Sequence, residues 1–358
     1  MLLYAYFLFL FSYTVEVKNY IININRRGKS TKYPKNEDKS EGKIVIFMKM
    51  EKNAKKKSSF IRKIKRDKWL YIFLLPILIY YIVFCYLPMG GVLIAFQDFK
   101  FSTGFFHSEW VGLKHFQRMF GNGNFFNIFR NTLMLNVGLL VFGFPVPIIL
   151  AILLNEINNK AFKKISQSIM YLPHFMSWIV VGGILIEMLS PSTGIINTIL
   201  QNLFHIEPIY FLGDKKWWVV TFIISDIWKG AGWGTIIYLA AISGIDQQLY
   251  EAAKIDGAGK WAQMRYITFP GIKSTVIVML VLRMGSMMNI GFEQIYALKN
   301  PAVLDVAEVI STYVYSLGIT GAQYSYSTAI GLFQSVINCI LVFSTNKISR
   351  KMNGEGLW

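Results

Sequence analysis

Apolar residues gather into six long runs along this 358-residue chain, at 69–95, 133–154, 169–189, 217–242, 274–290 and 328–346, with polar and basic stretches between them. About 20 apolar residues in a helix, each advancing about 1.5 Å, cross the hydrocarbon core of a bilayer, so every run meets or approaches the length of a span. The pattern predicts an all-α, polytopic membrane protein with six transmembrane helices. Pro76, Pro88, Pro145, Pro147 and Pro173 lie inside the runs. A packed membrane bundle re-satisfies the backbone groups that proline frees, and kinks are expected at these positions.

Composition agrees, with 54% hydrophobic residues and 16% charged, against roughly 25% charged in a soluble domain. Disordered, collagen-like and disulfide-stapled classes are excluded; the two cysteines, Cys85 and Cys339, both sit in apolar runs. A net charge of +17 raises the question of nucleic acid, and the placement of the charges answers it. They crowd before the first run, from Lys52 to Lys68, where they read as a cytoplasmic anchor facing anionic lipid. Lys160, Lys163, Lys164, Lys254, Lys260, Arg265, Lys273, Lys347, Arg350 and Lys351 fall on the same side, and fewer cations lie opposite, among them Lys100, Arg130 and Lys299. Both ends of the six-span core are therefore expected in the cytoplasm, with Trp69, Trp110, Trp178, Trp217 and Trp218 near the interfaces.

The expected organisation is an N-terminal extension at 1–49, a basic cytoplasmic segment at 50–68, a transmembrane domain at 69–346 and a cytoplasmic tail at 347–358. Residues 1–15 are apolar but short for a span and lack the basic start of a signal peptide. Two readings stand: an extension outside the mechanism, with Met48 or Met50 as the start, or a seventh helix.

One long cytoplasmic connection, 243–273, joins the fourth and fifth runs, and long loops in compact bundles are usually functional. Asp246 is a good N-cap for a helix over Leu249, Glu251, Ala252, Ala253 and Lys254; Gly257-Ala258-Gly259 breaks it, and a second helical stretch leads to Pro270. Glu251-Ala252-Ala253, then Asp256-Gly257-Ala258, Ile267 and Pro270, resemble the EAA signature of ABC importer permeases, the binding-protein-dependent transport system inner-membrane component family. The stretch Leu249 to Ala258 and the Trp228–Gly234 segment are similar to its carbohydrate branch, the LplB-type oligosaccharide permeases, and the likeness runs from about Lys68 onward. Met264, Phe269, Gln247 and Ser274 depart from the commonest pattern, the last two replacing prolines.

The resemblance implies the six-helix, MetI-like fold of type I importers. It also implies that 243–273 is a coupling loop seated on a separate cytoplasmic ATPase dimer, that a second homologous permease completes the path, and that an extracytoplasmic solute-binding protein delivers the cargo. The chain itself would bind no cofactor, ATP and Mg belonging to the ATPase, and would not be an enzyme. Glu251 would pair with a basic group of the partner, the alanines would permit close approach, and Gly257 would allow the turn.

Lys229 and Arg283 fall near mid-depth of the fourth and fifth runs, where an ionised side chain is expensive and marks either a watery path or internal pairing, here with Asp226 or Glu293. Trp228, Trp233 and Asn289 add flat and polar groups suited to sugar, and two cations suit an acidic oligosaccharide. No P-loop stands in the sequence: Gly28-Lys29-Ser30 has Asn23 where the first glycine is needed, and Gly259-Lys260 is followed by Trp261. His107, His115, His174 and His205 lack metal spacing. The alternatives are an ion-gradient-driven secondary transporter, which needs inverted repeats, and a membrane-embedded sugar-processing enzyme, which needs acidic or histidine clusters.

Overall fold

The computed structural model describes residues 66–354 and 356; the expectations for residues 1–65, the extension, its start and most of the basic segment, fall outside the described residues. The chain divides into two units, Met1–Val92 and Leu93–Trp358. In the first, α1 (Lys68–Tyr81) passes through a π-helical turn at Ile82–Tyr86 into a further helical turn at Leu87–Met89. Pro76 is accommodated without a break, and α1 buries none of its residues.

The second unit opens with a two-stranded ribbon, β1 (Gln97–Asp98) against β2 (Glu109–Trp110), and a short helix α2 (Lys114–Gly121). Next, α3 (Gly123–Gly138) and α4 (Pro145–Glu156), joined by a π-turn at Leu139–Gly143, make one 34-residue helix. Asn122 caps it by accepting from the Asn124 N–H at 3.0 Å. Pro145 starts α4, where its missing N–H costs nothing that the π-turn has not already given up.

The third span is broken. α5 (Lys160–Tyr171) ends in a 3₁₀ turn containing Pro173, and after Met176 the chain restarts as α6 (Trp178–Met188), bent by 100°. Ser177 caps the restart through the Val180 N–H. α7 (Ile195–Phe204) leads to α8 (Lys215–Ser243), 29 residues long, capped by Asp214. α8 reaches across a bilayer by length, but Asp226, Lys229 and its glycines leave it less apolar than the other spans. Gly232 lies so close to α5 that a side chain there would overlap the Met170 carbonyl oxygen.

After the loop helices α9 (Gln247–Ile255) and α10 (Lys260–Gln263), a bend of 57° leads into α11 (Lys273–Met284). The run expected to be helical to 290 stops at Met284, because Gly285 and Gly291 release the backbone and the final helix, α15 (Tyr324–Asn353), takes over its hydrogen bonds. Asn338 Oδ1 accepts from the Met288 N–H at 2.9 Å, and Gln334 Nε2 donates to the Met288 carbonyl at 2.6 Å. Irregular backbone inside a membrane protein is tolerable only when satisfied in this way. Between these helices lie α12 (Phe292–Leu298), α13 (Leu304–Ala307) and α14 (Ile310–Tyr315), and the segment 301–320 is bent by 114°. That bent pair was not foreseen in the six-run pattern.

Three cores hold the second unit together. Trp218 and Phe222 pack with Leu135, Ile295 and Val309, and the Trp218 indole N–H donates to the Leu298 carbonyl at 3.0 Å. Phe125, Ile128, Met288, Ile310, Tyr326 and Ile330 form the second core. Tyr238, Ile242 and Ile272 with Ile148 and Ala151 form the third, directly beneath the loop. The outward faces of the long helices carry exposed Leu, Ile, Phe and Val, as expected of a multi-pass membrane protein.

Candidate functional site

The 243–273 loop is a braced structure. Asp246 accepts from the Gln248 N–H at 2.9 Å and starts α9, which buries Tyr250 and turns Leu249, Glu251, Ala252, Lys254 and Ile255 outward. The helix ends as an N–H and carbonyl bookkeeping requires: Ala258 N donates to Ala253 O at 2.8 Å and Gly257 N to Lys254 O at 3.1 Å, with Gly257 at φ +79°. This is a Schellman motif, whose left-handed residue is nearly always glycine. Gln263 Nε2 then donates to Ala258 O at 2.7 Å and closes the turn onto α10.

Two further ties brace the loop, one within it and one to a span. Tyr250 and Thr268 share a buried hydroxyl–hydroxyl bond of 2.9 Å. Lys260 Nζ pairs with the Glu156 carboxylate at 2.9 Å and also donates to the Glu156 carbonyl at 3.2 Å, so the loop grips the end of α4. Of the residues singled out in the sequence, Glu251, Ala252, Asp256, Gly257 and Pro270 are exposed, while Ala253, Ala258 and Ile267 are half-buried. Beside them, Ile255 is 87% and Trp261 74% exposed, an apolar surface rimmed by charge that faces no other part of the described chain.

The membrane-embedded set separates into three groups. Asp226 on α8 and Arg283 on α11, both half-buried, interact electrostatically, and Lys229 adds a weaker interaction with Asp226. Lys229 itself turns toward the break in the third span: Nζ donates to the His174 carbonyl at 3.2 Å and lies 5.1 Å from the Trp178 ring. His174 stacks on Trp233 at 4.6 Å with an interplanar angle of 2°. Asn289 is held by α15, its Oδ1 accepting from Gln334 Nε2 at 2.6 Å. Trp228 points elsewhere, with Leu185, Phe211, Trp217 and Ile224 around an apolar pocket of about 220 Å³, and Glu293 stands exposed in the first turn of α12. The partnership of Lys229 with His174 was not visible in sequence, where the nearer Asp226 drew attention; nor was the Lys260–Glu156 pair, whose members lie 104 positions apart.

Residues 143–354 match the family described as the binding-protein-dependent transport system inner membrane component. Protein LplB of Bacillus subtilis is 48% identical over 305 residues, covering 85% of this chain and 96% of that protein. The polygalacturonan/rhamnogalacturonan transport system permease protein YteP of the same organism is 45% identical, covering 88% and 96%. Among solved structures, a bacterial ABC transporter involved in the import of the acidic polysaccharide alginate has a chain 41% identical with a TM-score of 0.76, covering 82% of this chain and 98% of that one.

Proposed function

The chain belongs to the binding-protein-dependent transport system inner membrane component family, and from that membership we propose that it moves oligosaccharides, acidic ones among them, into the cell by alternating access. It is the permease subunit of an ABC importer, and ATP hydrolysis resides on a separate subunit. The acidic class comes from the cargo named for two of its relatives. The full assembly in this reading is two homologous permeases on an ATPase dimer, with a solute-binding protein on the far side of the membrane and both ends of the six-span core in the cytoplasm.

One observation carries the mechanism: the 243–273 loop is braced within itself at Tyr250–Thr268, tied to the end of α4 at Lys260–Glu156, and presents an unpartnered apolar face. A body of that kind transmits motion. In this reading Leu249, Ile255 and Trp261 enter a groove on the ATPase, Glu251 and Asp256 meet its basic groups, and Ala252, Ala253, Ala258 and Gly257 permit close approach. Ile267 and Pro270 carry the movement into α11. Asp226, Lys229, Trp233 and Arg283 then border the path, with Trp228, Asn289 and Glu293 near it. Reconstitution with candidate partner permease, ATPase and binding protein tests this. The expected result is ATP hydrolysis stimulated by the loaded binding protein together with oligosaccharide uptake; uptake that persists without the ATPase would overturn it.

A further inference from the structure

A cavity of about 530 Å³ lies at the opposite end of the α3–α4 helix from the loop. Glu156, the last residue of that helix, grips Lys260, whereas Asn124, Asn127 and Arg130 in its opening turns line the cavity. At about 1.5 Å per residue the 34-residue helix is roughly 51 Å long, against about 30 Å of hydrocarbon. Its opening turns therefore project into water on the side away from the ATPase contact. The volume falls within the roughly 300–1,000 Å³ of small-molecule pockets.

Most of the polar groups around this cavity are spoken for. Asn131 Nδ2 donates to the Asp305 carbonyl at 2.7 Å and the Glu308 carbonyl at 3.2 Å, fixing the far wall. The Glu308 carboxylate takes Lys299 Nζ at 3.3 Å and the Thr312 hydroxyl at 2.9 Å. Lys215 pairs with Asp305 and holds its carboxyl below the usual carboxylate range. Arg130, by contrast, has no acidic partner within 4.0 Å among the described residues, and the side-chain amides of Asn124 and Asn127 make no hydrogen bond among them. These three stand at i, i+3 and i+6, a polar strip on one helix face with a step of about 4.5 Å, close to the length of a pyranose ring.

We propose that this cavity is an outer subsite for an anionic sugar unit, a uronate, in which Arg130 takes the carboxylate and Asn124 and Asn127 take ring hydroxyls. A planar guanidinium and a carboxylate match in a two-pronged, charge-assisted geometry that lysine cannot reproduce. The internally paired acids supply no competing positive demand, so one cation remains for the ligand. The assignment of this face to the outside and of carbohydrate as cargo rests on the importer reading above.

The test uses the complete transporter, with partner permease and ATPase, in nanodiscs of phosphatidylcholine without nucleotide or binding protein. Trigalacturonate and its uncharged methyl ester are the probes, measured by calorimetry. Arg130→Gln is expected to weaken trigalacturonate by about tenfold or more, to bring it level with the ester, and to be partly rescued by Arg130→Lys. Asn127→Ala is expected to weaken both probes a few-fold. Co-elution with the partners on size-exclusion chromatography separates lost binding from failed folding, and the asparagine variant keeps the test alive should the arginine variants not assemble. Equal affinity in wild type and Arg130→Gln would overturn the subsite, as would no binding of trigalacturonate to wild type. In a parallel titration of the same nanodiscs with the unloaded binding protein, a loss confined to affinity for that protein would also overturn it, by assigning Arg130 to a carboxylate of that protein. Absence of any ATP-driven oligosaccharide uptake would strike the importer reading instead, and the calorimetry would still decide the cavity.

Discussion

At Gly257 the turn of the loop depends on one backbone angle. φ is +79°, and no atom lies within 4 Å of where a Cβ would stand, so a side chain meets open space and its penalty is conformational, about 1–2 kcal/mol for an ordinary L-residue. Asn and Asp tolerate the left-handed region better than most. Gly257→Asp is therefore expected to insert normally yet abolish ATP hydrolysis stimulated by loaded binding protein, because a carboxylate enters the surface meant for close approach. Gly257→Asn, of similar shape without charge, keeps part of that stimulation; wild-type rates in the Asp variant would exclude the contact. Lys229 gives a second case. Lys229→Met strips the donor from the His174 carbonyl at the break in the third span, and loss of a charged donor to a part-buried group costs about 1–3 kcal/mol. A lower midpoint of thermal unfolding in detergent is expected, with acidic and neutral oligosaccharide uptake falling alike. Selective loss of acidic uptake would instead make Lys229 a charge-reading residue.

Among the elements, span positions were legible in the sequence because burial in lipid demands long apolar runs, and the loop was legible because Asp246, Gly257 and Pro270 are local signals that act within a few residues. The kink expected at Pro173 falls at the break in the third span, but the other breaks were not legible. Hydropathy averages over about 20 residues and does not register where backbone hydrogen bonds go, and the stop at Met284 depends on Gln334 and Asn338, about fifty positions away. Nor does the Asn131 anchor of the 301–320 bend announce itself, since its acceptors are main-chain carbonyls of a distant segment. The Lys260–Glu156 tie is the element-scale counterpart. Lys260 is more than half exposed, so the pair adds little to stability, roughly 0–1 kcal/mol, and its importance is mechanical. Glu156→Lys and Lys260→Glu should each lower the oligosaccharide taken up per ATP hydrolysed, and the double exchange should recover much of it. Unchanged stoichiometry in both single variants would show that the loop moves α11 without α4.

For the whole molecule, the division of charge along the chain sets the expected orientation, with the Glu251 loop in the cytoplasm and the Arg130 end outside. Single cysteines at Ile255 and Asn127, in a Cys85→Ser, Cys339→Ser background, test it with a membrane-impermeant maleimide on intact cells: the cysteine at 127 should label and the one at 255 only after lysis. The opposite pattern would invert the molecule and with it the placing of the ATPase. The irregular stretch around Met288 has a consequence of another kind. Its peptide groups are satisfied by two amide side chains of a helix that is synthesised afterwards, so until α15 arrives the nascent protein holds naked polar backbone at membrane depth, at several kcal/mol per group. Asn338→Leu would make that interim permanent for the Met288 N–H, and the cell would register the change as a short-lived polypeptide cleared by its membrane proteases, well before any defect in feeding became measurable.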